Sequence, residues 1–311
     1  MAEKDERIGR AGKRKVMSQF KSILQSIYRR IASVLSGRGL GKLFLFQAVN
    51  IFFLRSLKTT MAKVQGQMMY IDPQDSLQLS VKGIYEPFET SLVDRLLAPG
   101  DVAVDIGAHI GYYTLLYARR VGSRGHVYAF EPSRENFLLL RKNITLNHYE
   151  KRVTALQKAV SAATGTGRLY TSTVNAGDHH MYPSSENRVF EYVQTLRLDN
   201  FFAGQPVSIS LLKMDIQGSE GGALKGMQGL MRQGRIKKIL MEFWPIGMKE
   251  YGMEAAEVLE LIQSLGYRLH MLVETERVIV PIHAQQLLAR YTPEKRNHTN
   301  ILCLKDNVLI R

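Results

Sequence analysis

Residues 102–122, VAVDIGAHIGYYTLLYARRVG, place a short apolar stretch directly before an acid, two glycines and a helix-like apolar run. Gly107 allows a tight turn after Asp105 that a side chain would obstruct, and Gly111 permits close approach at the start of the helix. A strand, a glycine turn and a helix in this order are typical of parallel α/β sheets, which bind ligands beyond their strand ends. This stretch limits the fold class more than any other part of the chain.

From about residue 67 onward, short apolar stretches alternate with stretches whose apolar residues recur at helical spacing. Apolar strands that alternate with helices form mainly parallel sheets covered on both faces, so we expect an α/β fold. NILCLK, residues 300–305, is predicted as a last strand at a sheet edge. The other predicted elements are strands at 126–131, 152–157, 209–215, 237–243 and 267–273, and helices at 134–146, from near Ser219, and at 254–266.

The net charge of +14 is concentrated at the N-terminus. Residues 1–60 contain 13 Lys or Arg and three Asp or Glu, a net charge of +10, which leaves only +4 for the rest of the chain. A domain that binds nucleic acid carries a basic patch of its own. We therefore expect no nucleic-acid partner for the body of the protein.

The N-terminal segment has a composition of its own. Residues 1–15 are polar and charged, which predicts disorder. Between Val16 and Leu35, apolar residues recur mostly at spacings of three and four, which predicts an amphipathic helix. The apolar stretch 43–54 is about two-thirds of the length that spans a bilayer. Such helices cover their own domain, dock a partner, or lie on a membrane surface, here through residues 16–57.

These features divide the chain into a basic, partly disordered, helical extension at 1–66 and a single domain at 67–311. Cys303 is the only cysteine, so no internal disulfide can form. A chain without disulfides fits a reducing compartment, and we expect a cytoplasmic protein, with the membrane surface as one partner open to the extension.

Three acids, Asp105, Glu131 and Asp215, stand at the ends of predicted strands. Because ligands of open parallel sheets bind beyond the carboxyl ends of the strands, neighbouring strands would bring these acids around one crevice. Glu131 can accept hydrogen bonds from both ribose hydroxyls of an adenine-containing cofactor. An acid that leads into the glycine turn suits a cationic methyl-sulfonium better than a pyrophosphate.

Five segments resemble the FkbM family of methyltransferases in order and spacing. They are DVAVDIGAHIGYYTLLYA, VYAFEPSRENFLLLRKNITLN, LQKAVS, LLKMDIQGSEGGALKGM and ILMEFWP, and the resemblance covers roughly residues 68–305. It implies a Rossmann-like class I methyltransferase sheet, mostly parallel with an antiparallel last strand, that uses S-adenosyl-L-methionine. Known members mostly methylate hydroxyl oxygens of sugars or natural products, so the resemblance implies an O-methyltransferase with a small-molecule, glycolipid or glycan hydroxyl acceptor.

The resemblance also assigns positions to the cofactor. The glycine turn would line the methionine end, Glu131 would bind the ribose, and the turn around Lys158 would lie beside the adenine. The full set of expected cofactor-binding residues is Asp105, Gly107, His109, Gly111, Tyr112, Thr114, Glu131, Pro132, Asn136, Lys158 and Ala159.

Methyl transfer to a hydroxyl requires alignment and a base that takes the hydroxyl proton. Asp215, His179 and Lys213 are the predicted catalytic residues, with a carboxylate or a histidine as the base. The interval 160–200 interrupts the strand–helix rhythm and is predicted as a long loop that contacts substrate. The expected substrate-binding residues are Asn175, Asp178, His180 and Glu242.

Gln217 stands where many family members have glutamate, in the stretch MDIQGSE. This departure removes one acid from the site and leaves the cofactor residues untouched. Asp178, His179 and Asp215 form no compact ligand motif, so we expect no metal.

Other classes remain open at this point. A nicotinamide-dependent oxidoreductase would share the glycines and the ribose-binding acid, although the G-x-G-x-x-G spacing is missing. A methyltransferase of nucleic acid would agree with the basic extension, although no NPPY-type tetrapeptide is present. A non-catalytic docking protein would act through its N-terminal helices.

Overall fold

The computed structural model describes residues 59–183, 188–306 and 308–309. The predicted disorder of residues 1–15 and the predicted helices up to residue 54 lie outside the described residues. A hairpin of two strands, Met61–Val64 and Gln67–Tyr70, opens the described part of the chain. The domain boundary expected after residue 66 therefore falls at the turn of this hairpin, between two paired strands.

The described residues form three sheets, which contain eight, three and two strands. In chain order the strands are β1 (Met61–Val64), β2 (Gln67–Tyr70), β3 (Val102–Ile106), β4 (His126–Phe130), β5 (Val153–Leu156), β6 (Ala159–Val160), β7 (Gly165–Tyr170), β8 (Phe190–Leu196), β9 (Leu211–Met214), β10 (Lys238–Phe243), β11 (Tyr267–Val273), β12 (Val278–Pro281) and β13 (Thr299–Lys305).

The helices of the described part follow the strands in the alternation that the sequence predicts. They are α1 (Leu79–Lys82), α2 (Pro87–Leu96), α3 (Tyr112–Val121), α4 (Arg134–Leu146), α5 (Leu198–Phe201), α6 (Glu220–Lys225), α7 (Gln228–Arg232), α8 (Pro245–Tyr251), α9 (Ala255–Ser264) and α10 (Ala284–Arg290). Within the described ranges, no helix is long and apolar enough to cross a bilayer.

The large sheet has the order β12-β11-β13-β10-β9-β3-β4-β5. β10, β9, β3, β4 and β5 are mutually parallel, whereas β13 runs antiparallel to β10 and to β11. The mainly parallel sheet with an antiparallel last strand is confirmed. The expected edge position of residues 300–305 is wrong, because β13 lies inside the sheet and β12 forms that edge.

Apolar residues cover both faces of this sheet. Along β3, Ala103 packs on one side together with α3, and Val104 and Ile106 pack on the other side with α9. A strand buried on both faces reads as a continuous apolar run, which is why the sequence pattern of the parallel strands was clear. The central strands are thereby held with their carboxyl ends at one edge.

The interval 160–200 is not the continuous loop that its composition predicts. β7 and β8 pair antiparallel, and β6 pairs with β8, to form the three-stranded sheet. Their buried face is small, with Ala159, Leu169 and Val193 as its core. Exposed residues, among them Thr166 and Arg168 of β7 and Phe190 and Tyr192 of β8, alternate with the few buried ones, so the strands lack the continuous buried run that marks the central sheet. Residues 171–183 remain as the connecting segment.

The order of strands reverses between β3 and β9, and their ends are in close contact there. Ile106 is in register with Met214, and the Asp215 amide donates to the Ile106 carbonyl over 3.2 Å. Gly107 has a φ of +78°, and a Cβ at this position would lie 2.2 Å from the Asp215 carbonyl oxygen. The glycine therefore serves both its own backbone conformation and the close approach of the neighbouring strand.

Replacing Gly107 by alanine is expected to destabilise the fold by about 3–4 kcal/mol, since a left-handed backbone penalty adds to a clash with backbone. The free energy of unfolding in urea measures this loss. Gly100→Ala is the matched control: its φ is +92° and nothing lies within 4 Å of its Cβ position. It should lose only about 1–2 kcal/mol. Equal losses in the two variants would contradict the role of close packing against Asp215.

Candidate active site

A cleft of about 540 Å³, counted to its open mouth, lies beyond the ends of β3, β4 and β9. This is the edge at which the strand order reverses, and ligands of open α/β sheets bind at such a position. Nine of the predicted site residues line the cleft: Gly107, His109, Glu131, Pro132, Asn136, Lys158, Ala159, His179 and Asp215.

Glu131 follows β4 directly and presents a buried carboxylate to the cleft. Its two oxygens accept hydrogen bonds from the backbone amides of His109, over 2.8 Å, and Ser133, over 2.9 Å. Burial raises the pKa of Glu131 to about 7. Each carboxylate oxygen has two lone pairs, so Glu131 retains capacity to accept further hydrogen bonds from a ligand.

The segment that connects β7 to β8 crosses the cleft. Ala176, Gly177, His179 and Met181 line the cleft, and the Asn136 amide donates to the Ala176 carbonyl over 2.9 Å. Part of the interval expected to contact substrate therefore forms a wall of this cleft. The amino-acid composition of the segment does not reveal that it lies against the cleft.

A second group of polar side chains adjoins the cleft at Asp215. We call it the Lys213 cluster; its members are Glu86, Tyr113, Lys213, Asp215, Gln217 and Glu242. The Lys213 ammonium lies 3.2 Å from an oxygen of Asp215 and 4.5 Å from the centre of the Tyr113 ring. The Tyr113 hydroxyl donates to Glu86 over 2.7 Å. Thus the residue before α2, helix α3 and strand β9 each contribute a side chain to one polar centre.

Gln217 joins the two remaining carboxylates of the cluster. Its amide donates to Asp215 over 2.9 Å and to Glu242 over 3.4 Å. On the far side, the Asn300 amide of β13 lies 3.5 Å from a Glu86 oxygen. Asp215 and Gln217 also line the cleft, so the cluster and the cleft share a wall.

The charges in the cluster influence one another. Burial alone would raise the pKa of Asp215, but Lys213 and the Gln217 hydrogen bond hold that pKa below its usual value. Burial together with the Asp215 and Glu220 carboxylates raises the pKa of Glu242 well above its usual value. Asp215 is therefore ionised, whereas Glu242 holds its proton more tightly than an ordinary glutamic acid does.

Three residues of this region have left-handed backbone conformations although they carry side chains: Glu86 at a φ of +41°, His109 at +51° and Gln217 at +52°. Such conformations cost about 1–3 kcal/mol each and concentrate at functional sites. Their position around Asp215 supports the assignment of the cleft and the cluster to function.

Four predicted cofactor residues do not reach the cleft lining. Asp105 is fully buried, where it accepts a hydrogen bond of 2.6 Å from the Thr114 hydroxyl. The Tyr112 hydroxyl lies 2.8 Å from that of Thr90. A Cβ on Gly111 would lie 2.8 Å from a Leu140 side-chain atom. All four hold the glycine turn and the start of α3 in place. Their contact with a cofactor stays a prediction, because none of them lines the cleft.

The predicted substrate residues divide between two places. Glu242 belongs to the Lys213 cluster. Asp178 pairs with His180 over 2.7 Å and with Arg188 over 2.7 Å, and the His180 ring stacks on Tyr182 at 4.9 Å between ring centres. Asn175 accepts from the Gly177 amide over 3.0 Å. These three residues organise the connecting segment and do not line the cleft.

The family model described as the methyltransferase FkbM domain matches residues 105–269. The chain belongs to this family. The matched range begins at Asp105 and contains Glu131, Lys213, Asp215 and Glu242, and the family's cofactor, S-adenosyl-L-methionine, is the one expected from the sequence.

Two curated methyltransferases are similar over part of their length. Methyltransferase sdnD of Sordaria araneosa is 28% identical over 162 residues, which cover 51% of this chain and 54% of sdnD. The 31-O-demethyl-FK506 methyltransferase FkbM of Streptomyces tacrolimicus is 33% identical over 127 residues, which cover 40% of this chain and 46% of that protein. The chain thus spans about half the length of the curated relatives that it matches.

Solved structures with a related arrangement include an FkbM methyltransferase from Methylobacillus flagellatus, 15% identical with a TM-score of 0.40, over 82% of this chain and 59% of that chain. A SAM-dependent O-methyltransferase from Thermotoga maritima is 15% identical with a TM-score of 0.39, over 85% of this chain and 82% of that chain. The fold assignment rests on the strand order and the family match, which confirm the Rossmann-like methyltransferase sheet.

The donor and acceptor groups of the cleft fit S-adenosyl-L-methionine. Glu131 offers carboxylate oxygens to hydroxyl donors, which suits a ribose, and Asp215 offers an ionised carboxylate beside the glycine turn, which suits a cationic sulfonium and its amino group. Apolar side chains of Ile106, Phe130 and Leu169 line the same cleft and suit an adenine ring.

Sequence reasoning missed several residues of the site. Glu86 and Asn300 come from segments that carry no motif, whereas Tyr113 lies in the glycine-turn segment but had no predicted role. Only the fold brings these three residues to Asp215. The one available signal was Gln217, which stood out as a departure from the family pattern. The rest depends on how α2 and β13 pack against the ends of β9 and β10.

Glu131→Gln is expected to weaken the binding of S-adenosylhomocysteine by about 10–100-fold, because a charged hydrogen-bond acceptor is lost. Because burial raises the pKa of Glu131 to about 7, wild-type affinity should also rise with pH through that value as the carboxylate ionises. Calorimetry from pH 5.5 to pH 8.5 measures both effects. The control Glu150→Gln changes an exposed acid and should follow the wild type. A pH-dependent affinity that persists in Glu131→Gln would show that another group is responsible.

Proposed function

We propose that the protein is an S-adenosyl-L-methionine-dependent O-methyltransferase that acts on an uncharged hydroxyl-bearing acceptor, such as a sugar, a glycolipid or a natural product. The observation that carries this proposal is the shared wall at Asp215, where a cofactor-type cleft meets a second polar centre with a base of its own. The family match and the name of sdnD support methyl transfer, and the name of the second relative, 31-O-demethyl-FK506 methyltransferase, supports an oxygen of a natural product as the acceptor.

The bound cofactor supplies an electrophilic methyl group on a sulfonium. Glu131 would hold the ribose end, and residues of the segment 171–183 form one wall of the cleft. Asp215, kept ionised by Lys213, offsets positive charge at the junction of the cleft and the cluster. This arrangement fixes one reactant at the junction, which is the alignment that an in-line transfer needs.

Glu242 is the better candidate for the general base. Burial with neighbouring carboxylates raises the pKa of Glu242 well above its usual value, so the ionised form of Glu242 is a stronger proton acceptor than Asp215. Asp215 has its pKa held low, which makes it a weak proton acceptor. His179 accepts the Ser172 amide through Nδ1 over 3.1 Å and belongs to the wall of the cleft.

The charge of the Lys213 cluster determines the kind of acceptor. Its one cation, Lys213, is already paired with Asp215, while Glu86 and Glu242 stand nearby with raised pKa values. A phosphate or carboxylate on the acceptor would meet these acids without a free cation in the cluster to receive it. Carboxyl and carboxylate groups, in contrast, donate to and accept from hydroxyls, so a neutral polyol is favoured over nucleic acid.

Glu242→Gln is expected to lower kcat by about 10²–10⁴-fold, which is the usual contribution of a positioned general base. Transfer of labelled methyl to a panel of neutral glycosides, matched uronic acids and RNA is the assay. The wild type should methylate neutral glycosides and its kcat should rise with pH, whereas Glu242→Gln should lose this rise and keep its affinity for S-adenosylhomocysteine.

The control variant is Glu257→Gln, an exposed acid on α9, which should behave as the wild type. Unchanged kcat in Glu242→Gln would contradict its role as the base. Preference for the uronic acids or for RNA would contradict the argument from charge.

Treatment with EDTA is expected to leave methyl transfer intact. Lys213 already neutralises the carboxylate that a divalent metal would bind, and the described residues contain no group of three or more metal-binding side chains. The assay compares rates before and after dialysis against EDTA, with added Mg²⁺ as the second arm. Loss of activity that only Mg²⁺ restores would overturn the expectation.

A further inference from the structure

An apolar groove flanked by cations lies on the outer face of α4 and shares no lining residue with the Lys213 cluster. Its volume is about 950 Å³, counted to its open mouth. The groove is lined by Tyr70, Leu138, Arg141, Lys142, Thr145 and Leu146. These six residues include two cations and no acid, so the groove combines an apolar floor with a positive rim.

The β1–β2 hairpin extends this surface. Met61 is paired with Tyr70 and Lys63 with Met68, and all four side chains lie on the exposed face of the hairpin. Their large apolar members are unusually accessible, at 43% for Met61, 37% for Met68 and 38% for Tyr70, and Leu138 of α4 reaches 48%. We call this combined surface the hairpin–α4 face.

The hairpin is held firmly against α4. The Tyr70 amide donates to the Asn143 side chain over 2.6 Å, and the Asn143 amide donates to the Tyr70 carbonyl over 3.0 Å and to the Ile110 carbonyl over 2.8 Å. Both parts of the face are therefore fixed to the turn that precedes α3. Exposed apolar side chains held in a fixed surface mark a binding site.

Charge indicates the occupant. The chain that leads into Met61 carries a net charge of +10 over residues 1–60. That segment has the same sign as Lys63, Arg141 and Lys142, so its charge does not complement the face. A partner with dense negative charge complements the hairpin–α4 face and the N-terminal segment alike. Apolar side chains ringed by Lys and Arg are typical of proteins that bind the interface of anionic bilayers.

We propose that the hairpin–α4 face binds the surface of an anionic lipid bilayer. Met61, Met68, Tyr70 and Leu138 enter the interface between headgroups and acyl chains, and the Lys and Arg side chains contact the lipid phosphates. The net charge of +10 over residues 1–60 adds electrostatic attraction to the same lipids. This inference is independent of the reaction that the domain catalyses.

The test is sedimentation of the full-length protein with vesicles of phosphatidylcholine alone, or with phosphatidylglycerol at about a third of the lipid. Two patch variants are compared with the wild type: M68S/Y70S/L138S, which removes the apolar contacts, and R141E/K142E, which reverses the charge. Matched controls are Y192S/V278S, exposed apolar residues elsewhere, and K225E/R232E, exposed cations elsewhere. Affinity for S-adenosylhomocysteine and the thermal midpoint confirm that each variant is folded.

The wild type is expected to bind the anionic vesicles, and to bind phosphatidylcholine at least tenfold more weakly. Each patch variant should lose tenfold or more of the partition coefficient, and each control should stay within twofold. Wild-type binding by both patch variants would assign the attraction to the N-terminal segment alone and overturn the proposal. Absence of wild-type binding to anionic vesicles would overturn it equally.

Discussion

Lys213 is the buried charge on which the arrangement of the candidate site depends. Its ammonium pairs with Asp215, lies over the Tyr113 ring and lies near the carboxylates of Glu86 and Asp105. Burial alone would lower its pKa, but these acids raise the pKa above its usual value and keep the side chain charged. Without this cation, the Asp215 carboxylate would be buried without its charge partner, and breaking a buried ion pair in this way costs about 3–5 kcal/mol.

The close contact between β3 and β9 places Asp215, the charge partner of Lys213, next to the cleft. Gly107 lets the Asp215 backbone approach, so Asp215 stands at the boundary between the cofactor cleft and the Lys213 cluster. One side of this boundary presents Glu131 and apolar side chains, and the other presents Glu242 with a raised pKa. Separate recognition of a cofactor and an acceptor, with one shared residue, is the arrangement that a transfer reaction between two molecules requires.

The sequence predicted the central sheet well, because strands buried on both faces and helices with one apolar face leave clear patterns. Helix α4 has the predicted bounds, and Glu131 and Asp215 lie at the strand ends as expected. The same reasoning failed for β7, β8 and the place of β13, whose pairings depend on tertiary packing. The sequence pattern also could not identify Glu86 or Asn300 as site residues. These two residues come close to Lys213 only because α2 and β13 pack beside β10. For Gln217, the sequence showed a departure from the family pattern but not its consequence. Only the structure shows that the Gln217 amide bridges Asp215 and Glu242.

The central claim is that cofactor and acceptor occupy separate spaces that meet at Asp215. A crystal structure of the protein with S-adenosylhomocysteine tests it most directly. The account predicts that the ribose hydroxyls hydrogen-bond to Glu131 and that the sulfur faces Asp215, with the space beside Glu86 and Glu242 left free for an acceptor. A ligand placed against Glu86 and Glu242, or a ribose without contact to Glu131, would contradict it.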